Sequence, residues 1–332
     1  MRRVLMNDLV SVVFPVGPGV ASAGEALDDL LGQTWQNLEI IAVLNGCLPE
    51  VREGFLAKKD ERLRVLDLGE EPQLLPALNL AIRESRGKWL ARMDSDDRCS
   101  ATRIEKQLEL LQSVDVVTCE IELVGALGDG MQRYVDWVNN LEDPAKERFV
   151  ESPVVQPTVM MSKELFLRVG GYLENGFAED YDLWLRLLAM GARFGRVPEK
   201  LYRWHDRNDR LTRSDPRFGH KQMLALKAAR LADLPEVMER GVVVAGAGPI
   251  GKVLARELLS CGVEVYGFFE VSPKRIGSIC QDRPIVSDAE LGKVWESAIL
   301  LSAVGVSGGR DKVRAVAETA GYDEGEDFWC CC

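Results

Sequence analysis

Two pairs of acidic residues in this chain of 332 residues have types and spacing suited to catalysis. Asp94 and Asp96 come directly after an apolar run that ends at Met93, and Glu179 and Asp180 are neighbours at the predicted start of a helix. Carboxylates two residues apart on a turn can bind one divalent ion, because Mg²⁺ or Mn²⁺ takes its other ligands from phosphates and water. A carboxylate at a helix start can act as general base toward a substrate hydroxyl.

Each acidic pair also has an ordinary structural explanation. Asp and Ser are common in turns and as helix caps, and a helix is predicted to follow at Arg103. Acidic residues in the first turn of a helix interact favourably with its dipole, by about 0.3–1 kcal/mol, and Asp182 fits that role. Spacing alone does not decide between these explanations and catalysis.

Short apolar strands alternate with amphipathic helices in the first part of the chain. Strands are predicted at 10–14, 38–44, 63–66 and 88–93, and helices at 25–31, 75–84 and 177–188. This alternation favours an α/β protein with a doubly wound sheet. Ligands of such sheets bind at the carboxyl ends of the strands, which is where the 94–97 segment is predicted to lie.

A second strand–turn–helix unit begins at Gly241. Gly246, Gly248 and Gly251 follow its apolar strand, and Glu270 ends the next strand at the usual distance for an acid that binds ribose. This pattern predicts a smaller Rossmann-like domain that could take NAD(P) or another nucleotide. No acid–base pair suited to hydride transfer is evident there. The terminal cysteines, Cys330 to Cys332, are predicted to form an exposed tail.

Composition limits the classes of partner and compartment. The net charge of −11 disfavours a nucleic-acid partner, and two histidines are too few for a zinc site built on several of them. The eight cysteines show no C-x-x-C pair, which is typical of reduced thiols in the cytoplasm. No apolar stretch is long enough to cross a bilayer, and the first residues lack a signal-peptide pattern. We therefore expect a cytoplasmic protein, with peripheral membrane contact and the oligomeric state left open.

Over residues 8–215 the sequence resembles the inverting, nucleotide-sugar-dependent glycosyltransferases of family 2, which have the GT-A fold. The resemblance is carried by ordered segments: Val10–Pro15, Ala26–Trp35, Asn37–Ile41, Ala77–Asn79, Arg86-Gly87, Met93–Asp97, Gln156–Thr158, Gly170-Gly171 and Glu179–Trp184. It implies a GT-A domain with a mixed sheet at 1–215. The basic and then helical sequence that follows predicts a helical linker at 216–240, and the glycine pattern predicts the Rossmann-like domain at 241–332. The last of these resembles accessory domains fused to bacterial family 2 enzymes.

The resemblance also implies roles for the acidic residues. Asp96 would be the main ligand of Mg²⁺ or Mn²⁺, and Asp94 would lie near the metal and the nucleotide ribose. Asp180 would be the catalytic base, and Glu179 would either support it or bind the acceptor.

Further residues would hold the nucleotide sugar. Pro15 and Val16 would contact the nucleotide base, and Asn45 stands where many family members have an acid. A basic segment over the diphosphate would contain Arg203, His205 and Arg207. For His205, a non-catalytic position stacked beside its tryptophan neighbour stays open.

The implied reaction is hexosyl transfer by one in-line displacement with inversion. Its partners would be a nucleotide-sugar donor and a saccharide or lipid-linked acceptor, in surface polysaccharide or glycolipid assembly. One alternative is a catalytically inactive nucleotide-sugar-binding or regulatory protein, suggested by the change at Asn45. Another is an NAD(P)-dependent oxidoreductase centred on 241–332. The retained Asp96 and Asp180 favour the enzyme.

Overall fold

The computed structural model describes residues 8–125, 128–208, 210–270, 274–287, 290–291, 295, 297–306 and 308–332. The start of the chain, on which the expectation about a signal peptide depends, lies outside these residues. The chain forms two compact units, which are described separately. The first contains Met1–Leu141, Val154–Asn175 and Met190–Arg213, and the second contains Glu142–Pro153, Gly176–Ala189 and Ser214–Cys332. The predicted domain boundaries at 215 and 240 cut the chain into consecutive stretches, whereas the second unit also includes 142–153 and 176–189. The predicted boundaries stay a prediction.

The bounds of the elements are as follows. The described strands are β1 (Val10–Val16), β2 (Leu38–Leu44), β3 (Leu63–Asp67), β4 (Trp89–Arg92), β5 (Arg98–Cys99), β6 (Val116–Val124), β7 (Met160–Ser162), β8 (Phe194–His205), β9 (Val242–Ala245), β10 (Val265–Phe269), β11 (Ile279–Cys280), β12 (Arg283–Val286), β13 (Ile299–Ser302) and β14 (Phe328–Cys330). The described helices are α1 (Ala23–Leu31), α2 (Pro49–Ala57), α3 (Leu74–Glu84), α4 (Arg103–Leu110), α5 (Asp129–Asn140), α6 (Pro144–Glu147), α7 (Lys163–Arg168), α8 (Glu179–Ala189), α9 (Leu211–Ser214), α10 (His220–Ala232), α11 (Pro235–Arg240), α12 (Pro249–Ser260) and α13 (Gly309–Thr319). None of the described helices is both long and apolar enough to span a membrane.

The first unit is built on a mixed sheet with the strand order β3-β2-β1-β4-β7-β6-β8-β5. The four strands from β3 to β4 are parallel, and β7 runs antiparallel to both of its neighbours. All residues of β1 and β2 are buried, as is usual for strands covered on both faces. The predicted α/β class with a mixed sheet is confirmed.

Strand direction brings several predicted site residues to one edge of this sheet. β6 is antiparallel to β7 and β7 to β4, so β6 and its parallel neighbour β8 run in the same direction as β1, β2 and β4. Their carboxyl ends therefore share an edge, where Val16, Asn45, Asp94 and His205 lie. This is the edge at which ligands of parallel sheets bind.

The second unit has a smaller sheet with the order β11-β12-β10-β9-β13-β14, parallel except for the β11–β12 pair. The predicted strand–turn–helix unit is present as β9, a glycine turn and α12. Gly251 lies in the first turn of α12, and glycine is required there because a Cβ atom would lie 1.9 Å from the carbonyl oxygen of Gly246. The helix therefore packs directly on the turn.

The prediction of an exposed cysteine tail is wrong, since two of its residues are buried and Cys332 is partly buried. Cys330 and Cys331 are fully buried, because β14 pairs with β13 and the Nζ of Lys227 donates to the Cys331 carbonyl at 3.0 Å. Burial raises the pKa of Cys330 to about 12, so its thiol stays protonated. Cysteine is among the most frequently buried residue types, and these two residues behave as small apolar side chains.

Candidate active site

Three carboxylates meet on the turn between β4 and β5. Asp94, Asp96 and Asp97 each offer an oxygen, and these oxygens lie within 4.8 Å of one another. Asp94 and Asp96 are partly exposed, whereas Asp97 is 1% exposed. We call these three residues the acid turn. The sequence predicted the first two, and the structure adds the third.

Asp97 ties the acid turn to β8. The hydroxyl of Tyr202 donates to Asp97 Oδ2 at 2.8 Å, and the backbone N–H of His205 donates to Asp97 Oδ1 at 2.8 Å. The Nδ1 atom of His205 lies 3.7 Å from Asp97 Oδ1. Because both oxygens of Asp97 accept hydrogen bonds from β8, its role is to anchor the turn. Asp94 and Asp96 are therefore the acids with accessible oxygen atoms.

Two buried arginines form hydrogen bonds with the acid turn or with the strand that leads into it. Arg92 is 5% exposed, and its Nη2 donates to Asp94 Oδ1 at 2.5 Å. Arg103 is fully buried, and its Nη2 donates to the carbonyls of Arg92 at 2.6 Å and Pro157 at 2.9 Å. Sequence reasoning did not single out either arginine. The only signal was a charged residue inside the apolar run that ends at Met93.

The charges of the acid turn favour a divalent cation. Burial, followed by the negative charges of Asp94 and Asp97, raises the pKa of Asp96 to about 7. Burial also raises the pKa of Asp97. Carboxylates that share a site hold protons because they repel one another, and a cation would displace those protons. Oxygen ligands with this charge fit Mg²⁺ or Mn²⁺.

Cationic side chains follow the end of β8. The Asp97 carboxylate raises the pKa of His205, and Arg207 Nη1 lies 3.7 Å from Asp96 Oδ2. The guanidinium of Arg210 lies 4.0 Å from the ring centre of Trp204, and it partly opposes the rise in the pKa of Asp96. The structure thus brings two of the three predicted basic residues to the acid turn.

Arg203, the third predicted basic residue, has a different partner. Its Nε donates to Glu122 Oε2 at 2.9 Å, and its side chain is 64% exposed. Glu122 belongs to β6, which pairs with β8 at this position. Arg203 therefore forms a cross-strand ion pair on the sheet surface.

The predicted nucleotide-base contacts lie at the ends of β1 and β2. Pro15 and Val16 are buried in the last two positions of β1, and the N–H of Asn45 donates to the Val16 carbonyl at 2.9 Å. Asn45 is 3% exposed, and its Oδ1 accepts the N–H of Gln73 at 2.7 Å. A nucleotide base would share that oxygen with Gln73, since a carbonyl oxygen has two lone pairs.

The second pair of predicted acids lies at the start of α8, in the second unit. Glu179 is 2% exposed, and its Oε2 accepts a hydrogen bond from Arg217 Nη1 at 2.8 Å. Asp182 is fully buried and lies between Arg186 and Arg230, so its side chain is held by ion pairs, which the prediction from the helix dipole did not include. Asp180 is half-buried, and its Oδ1 accepts the N–H of Tyr181 at 2.7 Å.

The glycine turn of the second unit has its predicted acid in place. Glu270 Oε1 accepts the N–H of Ala247 at 3.0 Å and lies 3.5 Å from Arg275 Nη1. Gly246 and Gly248 flank Ala247 in this turn. The carboxylate thus holds one of the turn's amides in the structure.

Comparisons with known proteins identify the family and agree with the fold. Residues 11–170 match the family described as Glycosyl transferase family 2. The O-antigen biosynthesis glycosyltransferase WbnJ of Escherichia coli is 30% identical over 215 residues, which are 60% of this chain and 82% of that protein. The putative glycosyltransferase EpsE of Bacillus subtilis is 25% identical over 237 residues, covering 68% of this chain and 84% of that protein.

One solved structure supports the fold. The crystal structure of S. aureus TarS 1-349 in complex with UDP-GlcNAc has a TM-score of 0.52 and 17% identity, covering 76% of this chain and 72% of that one. At this identity the likeness shows the fold alone. Together with the family match and the relatives, it shows that the chain belongs to glycosyl transferase family 2 and is a glycosyltransferase.

Proposed function

We propose that this protein is a metal-dependent, inverting glycosyltransferase that moves a hexose from a nucleotide-sugar donor to an acceptor hydroxyl. The observation that carries the proposal is the acid turn, where Asp94 and Asp96 present oxygens at the ligand-binding edge of the sheet. The O-antigen role in the name of WbnJ supports a surface polysaccharide or glycolipid as product. The UDP-GlcNAc bound to TarS supports a nucleotide-sugar donor.

Residues of the first unit would bind the donor. Asp96 and Asp94 would hold Mg²⁺ or Mn²⁺, which neutralises the charge of a departing diphosphate when it is bound. His205 and Arg207 would add positive charge from the protein itself. Arg203 would need to leave Glu122 to take part.

The nucleotide base would meet the end of the first two strands. Pro15 and Val16 would contact its ring, and the remaining lone pair of the Asn45 oxygen would accept a base N–H. All three residues are buried in the structure, so the base would have to displace the chain that covers them. Because Asn45 is neutral, this contact would carry less charge than the acid that many family members have there.

Asp180 would act as the general base. It takes the proton of the acceptor hydroxyl, and the oxygen attacks the anomeric carbon while the bond from that carbon to the diphosphate oxygen breaks. The nucleoside diphosphate leaves with the electron pair, and the configuration at carbon inverts. Asp180 suits this role better than its neighbours, since Glu179 and Asp182 are buried in ion pairs.

Two further features belong to the same proposal. The five parallel strands of the second sheet have the order 3-2-1-4-5 when counted along the chain, which supports a Rossmann-like unit. All the cysteines are free thiols in the structure, which supports a cytoplasmic location.

The decisive experiment is a donor panel with the purified full chain. UDP-glucose, UDP-GlcNAc, UDP-GalNAc and GDP-mannose are each tested for release of nucleoside diphosphate, with Mn²⁺ or EDTA and with saccharide and lipid-linked acceptors. We expect release from at least one donor only when metal is present. Donor binding without release under any condition would favour the inactive binding protein. Binding of NADH without any donor binding would favour the oxidoreductase.

A further inference from the structure

We infer that Arg217 is a positioning residue that holds the start of α8, and with it Asp180, by pairing with the buried carboxylate of Glu179. The inference rests on the proposed function for the role of Asp180. It also decides between the two roles that the sequence left open for Glu179, which were support of the base and binding of the acceptor.

Burial argues against acceptor binding by Glu179. Its side chain is 3% exposed, and its Oε2 lies 2.8 Å from Arg217 Nη1. A buried carboxylate is costly unless a partner compensates its charge. Arg217 supplies that charge, so Glu179 is committed to a contact inside its own unit.

Arg217 is itself held in a fixed orientation. Asp215 Oδ1 accepts the backbone N–H of Arg217 at 2.9 Å. The two oxygens of Asp215 also accept hydrogen bonds from Nε and Nη2 of the guanidinium, the shortest being 2.7 Å. Such a two-point contact fixes the plane of a guanidinium. The remaining Nη1 is then directed at Glu179.

Two residues that follow Arg217 in the chain also contact α8 or the segment before it. Gln222 Nε2 donates to the Gly176 carbonyl at 3.1 Å. One turn into the helix, Arg230 Nε lies 3.2 Å from Asp182 Oδ1. The contact of Arg217 differs from these two because it reaches the residue directly before Asp180.

Glu179 and Asp180 are consecutive residues, so a shift of Glu179 should also displace the proposed base. If Glu179 lost its partner, its carboxylate would move toward water and would carry the next residue with it. Misplacement of a reacting group by about 1 Å can cost about 100-fold in rate. Donor binding does not need the base, so we expect the loss in kcat and not in the donor KM.

The test compares Arg217→Met with a matched control, Arg230→Met. Both variants remove an arginine from a buried carboxylate of α8, but only the first affects the residue next to Asp180. We expect Arg217→Met to lower kcat by about 10- to 100-fold with the donor KM within about twofold. Amide hydrogen exchange across 176–182 should speed up, and Arg217→Lys should recover part of both losses. Arg230→Met should also lower the melting temperature, although Arg186 remains beside Asp182, and its kcat should stay within about threefold of wild type.

Two results would overturn the inference. One is wild-type kcat and exchange in Arg217→Met or, if that variant does not fold, in Arg217→Lys. The other is an equal loss of kcat in Arg230→Met, which would show that α8 simply needs to be stable. Full turnover by Asp180→Asn is a separate failure: it would remove the proposed base, while the exchange measurement would still decide whether Arg217 holds this segment.

Discussion

Mn²⁺ binding to the acid turn should depend on pH in a way that the structure specifies. Asp96 has a pKa of about 7, raised by burial and by the charges of Asp94 and Asp97, and a metal ligand must lose its proton before it binds. With that pKa, roughly a tenth of Asp96 is ionised at about pH 6 and roughly nine tenths at about pH 8. The association constant for Mn²⁺ should therefore rise about tenfold over this interval.

Electron paramagnetic resonance of free Mn²⁺ measures this constant without a donor or an acceptor. The full chain is titrated with Mn²⁺ alone at several pH values between 6 and 8. Asp311, whose side chain is 82% exposed in the second unit, provides a control, since Asp311→Asn should give the wild-type profile. In Asp94→Asn the binding should be weaker, and its midpoint should move to lower pH because one repelling charge is gone. An association constant that does not change with pH would show that Asp96 does not hold a proton in competition with Mn²⁺.

Three other predictions concern stability. In metal-free protein, Asp96 loses its proton near pH 3.8 when unfolded and near 7 when folded. The folded state therefore binds this proton more tightly, and the contribution of Asp96 to the free energy of unfolding falls as pH rises between these values. Urea unfolding of Asp96→Asn should show a smaller fall in the free energy of unfolding over the same interval. Tyr202→Phe leaves Asp97 Oδ2 without its donor and should cost about 1–3 kcal/mol, measured by urea unfolding. Gly251→Ala places a Cβ against Gly246 and should lower the melting temperature measured by calorimetry; wild-type values in either variant would contradict these contacts.

Strands β1 to β4 of the first unit could be predicted because each is a short apolar run bounded by residues that favour turns. Residues 38–44 form an apolar run ended by Asn45-Gly46, and β2 has those same bounds. β8 was not predicted, because its twelve residues include a proline and several exposed charges and show no regular alternation. Its place in the sheet depends on pairing with β6 and β5, which are distant in sequence.

In the acid turn, the sequence pointed to the two partly exposed acids and not to their buried partners. Asp94 and Asp96 stand out by spacing, whereas Asp97 looks like one more polar turn residue. Arg103 looks like the first residue of a surface helix, yet it is fully buried. Whether a charged residue is buried depends on partners supplied by the tertiary structure, such as the carbonyls that accept hydrogen bonds from Arg103.

Turnover by Asp180→Asn measures the contribution of the proposed base, because the variant removes the ionisable group of residue 180 and keeps nearly the same shape. Nucleoside diphosphate release is measured with the donor that the panel selects, beside wild type and Asp311→Asn. We expect donor binding within about twofold of wild type and a loss of kcat of about 100-fold or more. Wild-type kcat in Asp180→Asn would show that Asp180 is not the general base.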